Sequence, residues 1–291
     1  GGINDCIRKA IHHGLRPETA YTMASFNAAQ AHQTPFIGAL NPNYQADIVV
    51  LDDPYDVKIH QVIKKGHLIS NHDFNTHPLS FAKNTMNFAL SPADLQLPLN
   101  SATANIIQVI LNHIETEHLV EPVSIHNGNF CPDPSNDQLK MVVVERHHHT
   151  GKIGKAIVKG FNLTHGAVAS SIAHDSHNII AVGTNDADLF AAIQHLQKVG
   201  GGITVFANHH ELATLPLQIG GVMSNLSYKE TAQKLNAITA AYQSISRPIA
   251  FNPFITLSFL ALPVIPTLKL TARGLYDFDQ QKFIPIEASI N

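Results

Sequence analysis

Five polar residues in a row past the middle of the chain have the types and spacing to do chemistry: His174-Asp175-Ser176-His177-Asn178, directly after Ala173. Imidazole and carboxylate groups move protons near neutral pH, and both ligate metals. On an extended backbone Asp175 and His177 would share one side, with His174 and Ser176 on the other. On a helical turn His174 and His177 would share a face instead. Either arrangement offers two donor groups to a metal ion or a heterocyclic substrate. The competing reading is a turn whose His and Asp bond only to backbone. A second polar run, Arg146-His147-His148-His149, follows an apolar stretch. Arg146 and His147 are candidate substrate contacts, against the alternative of a solvated strand end. His12 and His13 fall on an expected helix, where neighbours point about 100° apart, so both cannot easily face one metal.

The elements that must position these groups follow from patterning. Lys140–Glu145 and Ile179–Val182 read as strands, the second β-branched and following the polar run directly. The run therefore belongs at the mouth of a buried strand, on a loop held by a scaffold. Ala104–Leu111 and Leu119–Ile125 are a further strand pair. Asp186 to Val199 places Leu189, Ala192, Ile193 and Leu196 on one helical face. Gly200-Gly201-Gly202 ends that helix and Ile203–Ala207 resumes as a strand. This order is the reverse of a phosphate-binding loop, which follows a strand and opens a helix. Strand, helix, glycines and strand suggest an α/β layer. A second amphipathic helix covers Tyr228 to Ser244, and Phe254 to Leu270 reads as deep core or an interface.

Ahead of these lies a different segment. Ile3, Ile7, Ala10 and Ile11 recur at helical spacing, Gly14 stops that helix, and Pro17-Glu18 opens another. The second helix carries a narrow stripe of Ala20, Met23, Ala24, Ala28 and Ala31. A short strand, Ala46–Leu51, and three small antiparallel ones near Val57–Ile59, Gln61–Lys64 and His67–Ile69 follow. The expected division is 1–35 as helices, 36–75 as a small β-sandwich portion, 76–100 as a connector in which Ser91 caps a short helix, and 101–291 as a second domain.

Length and composition bound the function. At 291 residues, 44% hydrophobic and 14% charged, the chain can bury real cores. A net charge of −3 gives no basic footprint for nucleic acid. No apolar run approaches the 18 or so residues of a membrane span. Two cysteines, Cys6 and Cys131, make no disulfide framework and suit a reducing cytoplasm. Nineteen His against nineteen Lys plus Arg make metal chemistry more plausible.

Longer strings carry a resemblance. PETAYTMASFNAAQA, IGALNPNYQADIVVLDD and VIKKGHLI resemble the end of an amidohydrolase-superfamily barrel and its return to a small β-sandwich. Asn43 stands where that pattern usually has Gly, and Asn27 and Asp47 read as scaffold. VVVERHHHTGKIG, KGFNLTHGAVASSIAHDSHNIIAVGTND, LQKVGGGITVF and FITLSFLALPVIPTLKLTARGLYD resemble the C-terminal domain of bacterial adenine deaminases. The resemblance covers essentially the whole chain. It implies a mixed α/β (α+β) architecture: a barrel end and its β-sandwich portion, then a separate α/β domain.

It also implies hydrolysis of adenine to hypoxanthine and ammonia in cytoplasmic purine salvage. A manganese or iron ion would lower the pKa of a bound water. The superfamily's His-x-His pair and other barrel ligands have no match here, and Gly1-Gly2-Ile3-Asn4 departs from the usual junction. The chain thus reads as a C-terminal half, expected to be inactive without an N-terminal barrel. The complete enzyme is expected to be a homo-oligomer with no nucleic-acid or membrane partner. His174, Asp175 and His177 are the expected catalytic groups. Asp175 and His177 are also metal candidates, and Ser176, Asn178, Arg146 and His147 substrate contacts. The alternatives are a non-catalytic metal- or purine-binding module, and an interaction half of a split enzyme.

Overall fold

A computed structural model of the chain describes residues 2–70 and 86–288. The chain divides into two compact units, 1–78 and 79–291. No helix among the described residues is long and apolar enough to cross a membrane.

In the first unit, α1 (Ile3–His12) is followed by α2 (Pro17–Thr22), a π-helical turn (Met23–Asn27) and α3 (Ala28–Ala31). Pro17 opens α2 at its first turn, where its missing N–H costs nothing. The expected alanine stripe is only partly buried. Ala20 and Ala29 are buried, whereas Met23, Ala28 and Ala31 are exposed. The π turn widens the helix locally and rotates the faces beyond it, so a stripe drawn at constant pitch drifts off the packed side.

A three-stranded sheet follows, ordered β1 (Ile48–Asp53), β2 (Lys58–Lys64), β3 (His67–Leu68). Asp47 ties its start to a turn, accepting from the Lys65 N–H at 2.8 Å and from the Gln45 amide at 2.7 Å. Its bond with Lys64 is the largest of several that hold its carboxyl down at about 2. Asn43 adopts φ 67°, a left-handed conformation Asn tolerates better than most residues, which is how it can stand where the amidohydrolase pattern has Gly.

The second unit is built on one eight-stranded sheet. Its strands are β4 (Thr103–Val109), β5 (Thr116–Pro122), β8 (Leu139–Val144), β9 (Ile153–Lys159), β10 (Ala167–Ser170), β11 (Ile179–Gly183), β12 (Gly202–Ala207) and β13 (His210–Pro216). A small hairpin, β6 (Ile125–His126) with β7 (Asn129–Phe130), lies between the second and third of them. The sheet order is β13-β12-β10-β11-β8-β9-β4-β5, antiparallel throughout except for β4 against β9.

The long helix α4 (Asp186–Val199) joins β11 to β12, and β10 sits between those two strands. The expected strand–helix–strand order is therefore present, but as a crossover over an intervening antiparallel strand within a mixed α+β sheet. Asn185 caps α4 by accepting from the Asp188 N–H at 2.8 Å, and Gly200 ends it in the left-handed region.

Both faces of the sheet are covered. Along β8, Met141 and Val143 join the cluster containing α5 (Tyr228–Ile245), α6 (Pro253–Phe259) and the β-meander β14 (Leu268–Thr271), β15 (Gly274–Asp277), β16 (Lys282–Phe283). Val142 and Val144 join Leu189, Ile193 and Leu196 of α4 on the other face. The alternation is the period-2 rule of a strand, here with apolar layers on both sides.

The described part of the stretch read as a connector, 86–100, contributes Met86, Phe88 and Leu95 to the α4 layer. Ser91 caps a 3-10 turn at Pro92–Leu95 there. The apolar stretch after residue 253 reads correctly as core. Leu257, Leu260, Leu268 and Leu270 are buried, although Val264 is exposed. Gly154 must be glycine because a Cβ would lie within bonding distance of the Thr271 carbonyl oxygen, so β9 and the β14–β15 hairpin are in backbone contact.

Candidate functional site

Sheet register brings the two polar runs together. Ile179, the first residue of β11, pairs with Val144, the last of β8. Residues 171–178 link β10 to β11, and residues 145–152 link β8 to β9, so both loops leave the same end of the sheet side by side. The start of β12 and the end of β13 lie at that end too, since Ser170 pairs with Ile203 and Gly202 with Pro216.

The 174–178 run is a tight turn. The His177 N–H donates to the Ala173 carbonyl at 2.6 Å, and His177 itself has φ 48°. This brings the His174 and His177 rings to 6.1 Å between centroids, as the helical alternative required. His174 is fixed against α6. Its N–H donates to the Ser258 carbonyl at 2.9 Å, and its ring lies 4.6 Å from that of Phe259. Asp175 projects outward with its side chain 85% exposed, and its nearest carboxylate oxygen stands 3.7 Å from His174 Nδ1.

Asn178 is buried and accepts from the Arg146 N–H at 3.4 Å, which fixes the loop to the end of β8. The Ser176 carbonyl oxygen is 2.8 Å from His147 Nε2. His177 Nδ1 is buried with no hydrogen-bond partner, a rare condition for a polar atom. Burial, followed by the charges of His174, Arg146 and His147, lowers the His177 pKa against an opposing pull from Asp175.

Arg146 holds the turn from behind, and Glu145 holds the neighbouring 145–152 loop. Glu145, nine-tenths buried, accepts from the backbone N–H groups of His147 at 2.6 Å, His148 at 2.9 Å and Thr150 at 3.1 Å. The Thr150 hydroxyl also donates to it, at 2.9 Å. Burial pushes this carboxyl up, but the loop N–H groups outweigh burial and hold it at about 2. Arg146 is 1% exposed. Its Nε donates to the His177 carbonyl and its Nη2 to the Gly220 carbonyl, the latter at 2.9 Å. Its guanidinium therefore lies behind the turn, inside the fold. Glu145 carried a sequence signal that spacing alone did not decode: a carboxylate ending an otherwise apolar strand must find several donors. The 220–221 turn lies in LPLQIGGVMS, a further string that resembles the adenine deaminase C-terminal domain, but spacing did not reveal its contact with Arg146.

A cleft of about 660 Å³ opens beside the turn. Glu145, Asp175, Ser176 and Asn178 line one side, with Tyr276 and Phe283 among the lining residues. Arg146, His147, His174 and His177 do not line it, so of the turn's histidines neither faces the cleft directly. A carboxylate, an amide and aromatic rings can together bind a flat, nitrogen-rich heterocycle. Among the described residues, no three His, Cys, Asp or Glu side chains gather as a metal ion requires. The turn offers one orphaned imidazole nitrogen and one exposed carboxylate. By themselves these do not fit a resident metal ion.

Comparison with known proteins agrees over nearly all of the chain. Residues 113–282 match the adenine deaminase C-terminal domain, and residues 2–69 match the amidohydrolase family. The adenine deaminase of Lactiplantibacillus plantarum is 49% identical, covering 100% of this chain and 51% of that protein. The adenine deaminase of Listeria innocua is 45% identical over 99% of the chain and 51% of the relative. That of Geobacillus kaustophilus is also 45% identical, over 99% and 52%. The chain thus spans about half the length of the curated relatives it matches. With more than half of its own residues inside one family match, the chain belongs to the adenine deaminase C-terminal domain family.

Proposed function

We propose that this chain is the C-terminal part of a metal-dependent adenine deaminase and needs an amidohydrolase barrel to turn over. The observation that carries this reading is the family match over residues 113–282. In the reaction, water adds to C6 of adenine and the C6–N bond breaks. The oxygen stays as the carbonyl of hypoxanthine, and the amine leaves as ammonia. The divalent ion implied by the resemblance, manganese or iron, would activate that water and be held mainly by residues outside the 174–178 turn.

The turn supplies the polar groups of this chain. His177, whose pKa is lowered mainly by burial, has a buried ring nitrogen without a partner, and we assign its imidazole the proton transfer. Asp175 offers an exposed carboxylate to the purine amine. His174, Ser176 and Asn178 shape and hold the turn. We assign the complete enzyme a homo-oligomeric state. The apolar surface of the first unit, where Leu40, Ile3, Leu68 and Phe36 are all more than 60% exposed, supports association of this chain with an amidohydrolase barrel.

Ammonia release from adenine, with manganese present, tests the reading. The purified chain alone is expected to release none, and adding the amidohydrolase barrel portion as a second polypeptide is expected to restore release. Turnover by the chain alone would place the chemistry among its own residues and contradict the proposal.

A further inference from the structure

The buried guanidinium of Arg146 makes contacts that reach well beyond its own strand. Through Nε it grips the His177 carbonyl, and through Nη2 the Gly220 carbonyl. Its backbone N–H is accepted by Asn178, and its carbonyl oxygen receives the Asn87 N–H at 2.7 Å. The 220–221 turn is fitted to it: a Cβ on Gly221 would lie 2.7 Å from Arg146 Nη2 and 2.9 Å from Cζ. That turn is anchored in turn by Ser171, whose hydroxyl donates to the Gly221 carbonyl while accepting the Gly202 N–H at 2.7 Å. One planar fork therefore joins the β10–β11 loop to the turn after β13. A lysine, with one compact ammonium, cannot reproduce that two-directional geometry.

We infer that Arg146 is a positioning residue for His177, setting the place of its imidazole through the carbonyl of the same residue. The inference rests on the reading that the 174–178 turn borders the purine site, although the positioning itself can be measured without turnover. His177 is faced by His174 and Asp175 of its own turn and by Arg146 and His147 from the neighbouring loop. Removing the Arg146 grip on the His177 carbonyl is expected to let that ring change its place.

The test is the His177 imidazole resonance and its pH titration in the ¹⁵N-labelled full chain, compared with Arg146→Met, Arg146→Lys and Gly221→Ala. Arg146→Met is expected to shift the ring resonance and its midpoint, because the grip on the His177 carbonyl is lost. Arg146→Lys is expected to keep the ring displaced despite retaining the charge. Gly221→Ala, which crowds the guanidinium but leaves Arg146 in place, is expected to displace the same signal. It decides the matter if Arg146→Met fails to fold. A ring resonance and midpoint like wild type in the folded variants would show that Arg146 only fills the interior, and would overturn the inference. The proposed deaminase function stands or falls separately, on turnover in the complete protein.

Discussion

Replacing Glu145 with alanine is expected to lower the unfolding free energy by about 2–3 kcal/mol, the scale of losing several charge-assisted hydrogen bonds at a buried carboxylate. The carboxylate accepts from three backbone N–H groups and one hydroxyl of its own loop. Without it those N–H groups lose their shared acceptor and the 145–152 loop loosens. The same bonds predict a pH dependence. The carboxyl titrates at about 2 in the fold, below its ordinary value of 4.5. A depressed carboxylate pKa gives stability that is fully present above the unfolded value and lost as pH falls through the folded one. The loss should therefore run from roughly pH 5 down to pH 2 and amount to about 3 kcal/mol. Thermal melts of wild type and Glu145→Gln across that range measure it. The glutamine variant should start lower and lose less on acidification, because its amide cannot accept from all four donors and does not titrate. Parallel curves would remove Glu145 from the account.

His177→Ala, made in a complete protein containing this chain, is expected to lower kcat for adenine by about 100-fold or more while changing KM little. That is the usual scale for removing a group that transfers a proton in the transition state. Two features single out His177 over His174. His174 packs its ring on Phe259, and its N–H is held by the Ser258 carbonyl, so its role is more confined. His177 keeps an unpartnered ring nitrogen. His174→Ala should accordingly affect stability more and kcat less. Wild-type kcat in His177→Ala would leave the turn as a structural feature.

Much of this arrangement was legible in the sequence because strands and helices repeat. β8, β11, α4 and β12 fall close to their expected bounds, since the strands are near-continuous apolar runs buried on both faces and α4 buries one periodic apolar face. Asn178, read in the sequence as a substrate contact, accepts from the Arg146 N–H, a partner that residue order does not reveal. The sheet order was not legible. The crossover by α4 passes over β10, and that placement depends on pairing between strands far apart in the chain. Patterning also missed the π turn at Met23–Asn27, where one change of pitch redirects the alanine face. At the candidate site, the types of His174, Asp175 and His177 were visible, but their directions were not. A left-handed φ at His177 and a turn closed on Ala173 decide which side chains meet, and neither follows from residue order. Arg146 reads in sequence as a charge at a strand end. Only the fold shows it turned inward onto two carbonyls.

The central claim is that the 174–178 turn, braced by Arg146 beside the loop that Glu145 holds, borders the purine. Amide hydrogen exchange of the complete protein, with and without bound hypoxanthine, tests it most directly. The account predicts slower exchange on binding at residues 174–178 and 145–150, with the buried amides of β8 and β11 unchanged. Protection confined to other parts of the protein, with these two loops exchanging as they do in its absence, would contradict it.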